Sequence, residues 1–336
     1  MKKFLIGIPL ALILILFVCF ISLSFTPKLL FTAIKALSPE ANLTKPDNYS
    51  ALKKNIQTKK NIIYSEQYSE SSLDIYSPKK KQGKLPVILF IHGGGFFKGE
   101  KEMAKYFGPA LSNGQYAFVS IDYQLVPEAT LFDQLKQINQ ALAFINENAE
   151  KYSWDVNQLN LAGSSAGGFL ALQLLSAYHD KDYAESLAIQ PVEQLHINSL
   201  LLYSAVYNLA EFQSFEGSRL TNYVLGKVGW GLTGEKAWKT DKKLAKTLNL
   251  NNYIRRDFPP IFITDGNTKT FTVQAKAYTE ELKRKNITTE TLFFDPENAV
   301  GHGYQLNMKT LASKQAINKS LDFLEANNSQ ISDNDH

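Results

Sequence analysis

The sequence has 336 residues, of which 44% are hydrophobic and 20% are charged, so it has enough apolar material for a sizeable core and is not an intrinsically disordered chain. The formal net charge of +4 is concentrated between residues 28 and 60, where seven lysines stand against two acids. The rest is nearly neutral and has no basic run interleaved with aromatic residues, which argues against a nucleic acid partner. The single cysteine, Cys19, excludes an internal disulfide and a thiolate zinc site.

An uncharged run of twenty residues, 4–23, follows two lysines at the N-terminus. At about 1.5 Å per residue, a helix of this length spans the roughly 30 Å hydrocarbon core of a bilayer. The run therefore predicts a single membrane-spanning helix that anchors the protein in the lipid bilayer. A cleaved signal peptide is the alternative, because Ser22 and Ser24 form a tolerable cleavage site, and cleavage would release a secreted protein. Lysines on both sides of the run do not decide the orientation, but the short N-terminal head favours a domain outside the cytoplasm.

The chain divides into four predicted segments. Residues 1–25 are the anchor or signal sequence, residues 26–60 are an amphipathic or extended connector, residues 61–327 are one large domain, and residues 328–336 are a polar tail. The large domain is longer than a typical domain, but mixed α/β folds with a central sheet commonly reach about 250 residues as one unit.

Within the large domain, short apolar runs alternate with helix-length segments. The run at 87–91 is continuously apolar, as expected for a strand that is buried on both faces. Such alternation is typical of an α/β fold with a mostly parallel sheet flanked by helices. The segment 206–257 is too long for a simple crossover and contains helical stretches, so it is predicted to be a helical cap insertion. The predicted strands are 61–68, 72–76, 87–91, 116–121, 158–161, 197–203, 261–264 and 289–294.

A G-x-S-x-G pattern with Ser165 at its centre follows the predicted strand 158–161 and precedes a helix that begins near Ala166. Its two glycines, Gly163 and Gly167, let the backbone and the helix approach closely in a tight turn. Such a turn exposes the serine hydroxyl at the N-terminus of the helix. This context predicts that Ser165 is a nucleophile.

Three consecutive glycines, Gly93, Gly94 and Gly95, follow His92 at the end of the predicted strand 87–91. Consecutive glycines allow backbone N–H groups to point at one spot, where they can stabilise a developing oxyanion. A phosphate-binding loop is the competing interpretation, but neither a G-K-[ST] motif nor a dinucleotide-binding spacing follows. We therefore favour an oxyanion-stabilising loop.

These two motifs, with the stretch D-Y-Q-L-V-P-E at 122–128 and G-H-G-Y at 301–304, resemble the hormone-sensitive-lipase-like carboxylesterases of the α/β-hydrolase superfamily. The resemblance runs from about residue 84 to residue 324 and is specific, because its motifs occur in the expected order. It implies the α/β-hydrolase fold.

The resemblance also implies roles for individual residues. Gly94, Gly95 and the N–H of Ala166 would form the oxyanion hole, and His92 would brace the glycine loop rather than take part in the reaction. His302 lies after the last predicted strand and closes the chain order serine, acid, histidine that is typical of this fold. As general base, His302 would take the proton of Ser165 and return it to the leaving alcohol.

The acid of the expected triad departs from the pattern. The relatives carry an aspartate after the seventh strand, where this sequence has Lys269. Asp265 lies four residues earlier, at the end of a predicted strand, and is the first candidate. Asp295 and Glu297, ahead of His302, are the reserve candidates. A histidine without a carboxylate partner is the third alternative.

The sequence therefore predicts a serine hydrolase that cleaves small-molecule carboxylic esters of small or medium acyl length through an acyl-enzyme. No metal and no organic cofactor is expected. The missing acid raises a second class of function, a binding protein that keeps the pocket without efficient chemistry. Amidases and acyltransferases use the same fold, although the glycine loop favours esters.

Overall fold

The computed structural model describes residues 25–81, 83–213 and 218–332. The eight strands within these residues form one sheet in the order β1-β2-β4-β3-β5-β6-β7-β8. Strand β2 is antiparallel to β1 and β4, and every other adjacent pair is parallel, so the predicted mostly parallel sheet is confirmed. The strands are β1 (Ile56–Ile63), β2 (Ser72–Pro78), β3 (Leu85–Ile91), β4 (Ala117–Ile121), β5 (Trp154–Ser164), β6 (Ile197–Tyr203), β7 (Ile261–Asp265) and β8 (Thr289–Phe293).

From β3 onward, helices connect the strands and cover both faces of the sheet, with short 3₁₀ turns between them. One face is packed against α4, α6 and α10, and the other is packed against α3 and α11. The α-helices of the described residues are α1 (Lys28–Leu37), α2 (Tyr49–Asn55), α3 (Phe107–Ser112), α4 (Leu131–Glu147), α5 (Ala149–Tyr152), α6 (Ala166–His179), α7 (Lys181–Ser186), α8 (Arg219–Thr233), α9 (Lys242–Leu248), α10 (Thr272–Arg284) and α11 (Leu311–Ser332).

Strand β3 shows why its sequence is continuously apolar. Because successive side chains of a strand point to opposite faces, Val87, Leu89 and Ile91 enter one core. Ile88 and Phe90 enter the other core. All five are at most 1% exposed, and burying a side chain of this size contributes roughly 1.5–3 kcal/mol. The two cores hold β3 rigidly, and the glycine loop begins at its carboxyl end.

Two strands begin four or five residues before their predicted starts. Strand β1 begins at Ile56, inside the segment predicted as a connector, and strand β5 begins at Trp154 rather than at residue 158. Strand β1 lies at the sheet edge, where polar side chains stay exposed and leave little apolar alternation to detect. It is also interrupted at Asn61, which has a φ of +56° and donates its N–H to Asp74 Oδ1 at 2.9 Å.

The predicted connector 26–60 is folded onto the domain. Phe31 of α1 is 1% exposed and packs against Phe97, with the ring centroids 5.7 Å apart. A Cβ at Gly231 of α8 would lie only 2.2 Å from the Phe31 ring, so that glycine makes room for it. The Lys98 ammonium reaches back to the carbonyl of Ser38 at 2.8 Å. The segment is therefore a packed arm that contacts both the glycine loop and α8.

Between β6 and β7, the described part of the predicted cap insertion contains α8, α9 and three 3₁₀ turns. Trp238 packs so closely on Gly229 of α8 that a Cβ at that glycine would lie 1.8 Å from the indole, and its Nε1 donates to the Gly226 carbonyl at 3.0 Å.

The predicted membrane span, 4–23, lies outside the described residues. None of the helices that the structure describes is long and apolar enough to cross a bilayer.

Candidate active site

Ser165 occupies a sharp turn between β5 and α6, with φ at +53° and ψ at −118°. Two glycines make this turn possible. A Cβ at Gly163 would lie 2.4 Å from the carbonyl oxygen of Gly167, and a Cβ at Gly167 would lie 2.1 Å from the carbonyl oxygen of Ile91. The Ser165 N–H donates to the Tyr203 carbonyl of β6 at 2.9 Å. The turn therefore presents the serine hydroxyl at the carboxyl edge of the sheet, beside the N-terminus of a helix.

His302 lies in the loop after β8, and its Nε2 is 2.8 Å from Ser165 Oγ. The ring of Phe271 packs edge-on against the imidazole at a centroid distance of 5.4 Å. The imidazole is open to solvent on one side, yet enough protein surrounds it for burial to lower the pKa of His302. A neutral imidazole at this distance can accept the serine proton.

The other imidazole nitrogen meets a threonine. Thr270 Oγ1 lies 3.0 Å from His302 Nδ1 and donates to Asp265 Oδ1 at 2.5 Å. Asp265 is the fully buried last residue of β7, and the same oxygen accepts the N–H of Gly266 at 2.8 Å. Burial raises the pKa of the Asp265 carboxyl above its ordinary value, and the hydrogen bond from Thr270 offsets part of that rise. The expected direct contact between Asp265 and the imidazole is thus absent, because Thr270 lies between them.

The reserve candidates for the acid lie elsewhere. Asp295 and Glu297 are exposed in the loop after β8, and the Asp295 carbonyl accepts from the side chain of Asn267 at 2.7 Å. Among the described residues, neither of these carboxylates bonds to His302. Lys269, at the position where the relatives carry an aspartate, is exposed and has a φ of +51°. The loop therefore turns Lys269 outward and brings the next residue, Thr270, to the histidine.

The glycine loop packs its backbone directly on the serine turn. A Cβ at Gly93 would lie 3.0 Å from Ser165 Cβ, and Gly94 and Gly95 have φ values of +119° and +62°. Within the described part of the chain, the backbone N–H groups of Gly94, Gly95 and Ala166 donate to no other group. Three unpaired donors beside a hydroxyl are the arrangement that an oxyanion requires.

His92 is buried at the start of this loop and bonds to backbone rather than to Ser165. Its Nδ1 lies 2.8 Å from the Gly93 carbonyl, which can only accept, so Nδ1 carries the proton. Its ring stacks on Tyr123 at a centroid distance of 4.3 Å, and the Tyr123 hydroxyl donates to the His92 carbonyl at 2.7 Å. Burial lowers the pKa of His92, so the neutral form persists. These contacts tie the glycine loop to the segment after β4.

The sequence patterns assigned no role to several residues that support the site. Besides Thr270, these are the residues that fix the loop of His302. Gln305 donates to Ser164 Oγ at 2.7 Å, and Tyr304 shares a 2.5 Å hydrogen bond with Thr264 of β7. A tyrosine directly after the G-H-G triplet could have been recognised as an anchor, but its partner lies on another strand. Among the described residues, no group of three or more His, Cys, Asp or Glu side chains is placed to hold a metal ion.

The architecture defines a class of protein. An eight-stranded sheet with an antiparallel second strand, a serine turn after the fifth strand and a histidine after the eighth is the α/β-hydrolase fold. The family model described as BD-FAE matches residues 73–283, which is more than half of the chain, so the chain belongs to this family. The resemblance to α/β-hydrolase carboxylesterases drawn from the motifs is thereby confirmed.

Individual relatives are more distant. A probable isoprenylcysteine alpha-carbonyl methylesterase of Arabidopsis thaliana is 24% identical over 243 residues, which are 70% of this chain and 50% of that protein. The chain thus spans about half the length of this curated relative. Among solved structures, esterase B of Lactobacillus rhamnosis matches with a TM-score of 0.74 and 20% identity over 88% of this chain and 90% of that one. A bacterial heroin esterase matches with a TM-score of 0.63 and 17% identity over 88% of this chain and 96% of that one. At these identities the structural likeness shows the fold alone.

Proposed function

We propose that this chain is a serine hydrolase that cleaves carboxylic esters. The observation that carries the proposal is the 2.8 Å contact of Ser165 Oγ with His302 Nε2, beside the unpaired N–H groups of the glycine loop. Acyl transfer needs a nucleophile, a neutral base and N–H donors for the oxyanion, and this site holds a candidate for each. The relatives are a methylesterase and an esterase by name, which supports esters over amides.

In the proposed reaction, Ser165 Oγ attacks the ester carbonyl carbon while His302 Nε2 takes the hydroxyl proton. The negative charge that develops on the carbonyl oxygen is held by the N–H groups of Gly94, Gly95 and Ala166. One such donor can contribute about 10²–10³ in rate. The C–O bond then breaks, and His302 returns its proton to the leaving alcohol.

The second half repeats these steps with water. His302 accepts a proton from water, and the hydroxide attacks the acyl carbon of the ester on Ser165. Breakdown of the second tetrahedral intermediate releases the acid and returns the proton to the serine oxygen. We propose small or medium acyl groups as substrates.

We also infer that residues 4–23 hold the protein in a membrane, with the hydrolase domain outside the cytoplasm. The support is the sequence itself: twenty uncharged residues match the thickness of the hydrocarbon core. Helix α1 begins at Lys28, five residues after the end of this run. The membrane would then lie close to the arm that contacts the glycine loop.

The test of the hydrolase proposal compares the parent with Ser165→Ala and His302→Ala on p-nitrophenyl butyrate. We expect each variant to lose at least about 10³-fold in kcat, because the two side chains act as one unit. The p-nitroanilide of the same acyl group measures amidase activity, and we expect the ester to react at least about 10²-fold faster. A parent that binds short esters without turning them over would favour the binding-protein alternative. Faster cleavage of the anilide would favour an amidase.

A further inference from the structure

We propose that Thr270 is a positioning residue which relays the Asp265 carboxylate to His302, so that four side chains rather than three form the working unit. The inference rests on the proposed ester hydrolase function and deepens it. It arises from two hydrogen bonds that share one hydroxyl: 3.0 Å to His302 Nδ1 and 2.5 Å to Asp265 Oδ1. Asp265 would therefore act on the imidazole through the Thr270 hydroxyl rather than by direct contact.

The proton positions follow from the acceptor at the end of the chain. In its ionised form Asp265 Oδ1 can only accept, as it does from the N–H of Gly266 at 2.8 Å. The Thr270 hydroxyl must then donate to it. A hydroxyl has one hydrogen, so at the imidazole the same oxygen can only accept. His302 Nδ1 therefore carries a proton.

This assignment decides the chemistry at the other nitrogen. With the proton on Nδ1, the Nε2 of the neutral imidazole is bare and can accept from the Ser165 hydroxyl at 2.8 Å. The opposite tautomer would point a hydrogen at the serine and block proton removal. Because the Thr270 hydroxyl donates to Asp265, it can only accept from the imidazole, and this is sufficient to select the productive tautomer.

The relay differs from a direct carboxylate in how strongly the charge acts. The imidazolium that forms during attack would be separated from Asp265 by a hydroxyl, so the Coulomb attraction is weaker than in direct contact. Tautomer selection, in contrast, needs only the hydrogen-bond direction. We therefore expect the hydroxyl of Thr270 to matter at least as much for catalysis as the charge of Asp265.

The first experiment removes the hydroxyl. Thr270→Val keeps the shape of the side chain, and we expect kcat on p-nitrophenyl butyrate to fall about 10- to 100-fold with KM within about threefold. Thr270→Ser restores the hydroxyl and should return kcat to within about threefold of the parent. Thr268→Val is the matched control in the same loop, because among the residues that the structure describes its exposed hydroxyl bonds only to the side chain of Asn267. It should behave as the parent.

The second experiment tests whether Asp265 acts through Thr270. Asp265→Asn keeps an acceptor oxygen and removes the charge, so we expect about a 10-fold loss of kcat in the parent. In the Thr270→Val background the same change should cost less than about threefold, because the connection is already cut. If the two losses of kcat multiply in the double variant, the two residues act independently, and this would overturn the relay.

The third readout reports the tautomer and does not depend on activity. Imidazole nitrogen chemical shifts of ¹⁵N-labelled protein should show His302 protonated at Nδ1 in the parent and in Thr270→Ser, and a shift toward Nε2–H in Thr270→Val. An unchanged tautomer together with a kcat within threefold of the parent in Thr270→Val would overturn the proposal. Failure of the parent to hydrolyse any ester would instead sink the hydrolase function, and the nitrogen shifts would still test the hydrogen-bond relay.

Discussion

At the scale of single residues, the site combines a strained serine with a histidine whose charge is suppressed. A non-glycine residue held at positive φ costs of order 1–3 kcal/mol, and the neighbouring glycines hold Ser165 in that conformation. Burial lowers the pKa of His302, and no carboxylate of the described residues contributes to raising it. The turn places the serine hydroxyl at the imidazole, and the lowered pKa keeps that imidazole neutral and available as a base at neutral pH.

The lowered pKa of His302 gives a pH prediction. The base must be neutral, so kcat/KM should fall as the pH drops through the pKa of His302 and should be flat above it. Because burial lowers that pKa below its ordinary value of 6.5, the midpoint of the acid limb should lie below 6.5. A profile of p-nitrophenyl butyrate hydrolysis between about pH 4.5 and 8 measures it. A midpoint above 7 would mean that a carboxylate acts on the imidazole more strongly than the structure indicates.

The sequence predicted some of these residues and missed others for a physical reason. Ser165 and His302 stand in motifs whose glycines report the turn geometry, so their meeting could be predicted. Asp265 was the first candidate for the acid because it lies at the end of its strand, but whether its carboxylate reaches His302 directly could not be predicted. The distance between this carboxylate and His302 depends on the backbone of residues 266–271, including the positive φ of Lys269. Thr270 was missed because a threonine in a polar loop carries no distinctive signal.

At the scale of elements, the contact of α6 with β3 positions the serine. The Gly167 backbone passes so close to β3 that a Cβ there would lie 2.1 Å from the Ile91 carbonyl and 2.3 Å from the His92 carbonyl. The helix that follows the nucleophile and the strand that precedes the glycine loop are thus in backbone contact. This contact fixes the distance between the Ser165 hydroxyl and the proposed oxyanion site.

Gly167→Ala should therefore lower the free energy of unfolding by at least about 2 kcal/mol, since backbone must move to admit a methyl group. Gly226→Ala is the matched control in α8, where a Cβ would meet nothing within 4 Å. It should leave stability unchanged or raise it by up to about 1 kcal/mol, because alanine favours helix. Urea unfolding followed by circular dichroism compares the two. Equal stability of both variants would contradict the close contact.

The elements also show where prediction from sequence stops. Buried strands such as β3 are evident because both faces are apolar, whereas β1 at the polar edge starts five residues before its predicted beginning. The packing of α1 was missed for another reason. Its single fully buried residue, Phe31, contacts Phe97 and Gly231, which are distant in sequence, so only the tertiary structure turns the connector into a packed arm.

At the scale of the whole molecule, the proposed anchor and the hydrolase domain are joined through that arm. Lys98, three residues after Gly95, bonds to the Ser38 carbonyl at 2.8 Å and pairs with Glu40 at the same distance. The chain that leaves the apolar run 4–23 is therefore in contact with the loop that would hold the oxyanion. We expect the active site to lie near the membrane surface if the run is retained.

Membrane fractionation tests the anchor. We expect the full chain to sediment with membranes and to resist extraction by high salt or alkaline carbonate, because about 30 Å of uncharged helix crosses the bilayer. A chain lacking residues 1–24 should be recovered in the supernatant with its esterase activity. Recovery of the full-length gene product as a soluble form beginning at Phe25 would show cleavage of a signal peptide instead.

The central claim is that Ser165 is the nucleophile, and covalent labelling tests it most directly. A fluorophosphonate probe reacts with a serine only when a base activates it and an oxyanion site holds the phosphoryl oxygen. If Ser165 is the nucleophile, we expect one probe per chain, found by mass spectrometry on the peptide that contains Ser165. We also expect no labelling of Ser165→Ala and strongly slowed labelling of His302→Ala. Absence of labelling in a folded parent protein, or equal labelling of Ser165→Ala, would contradict it.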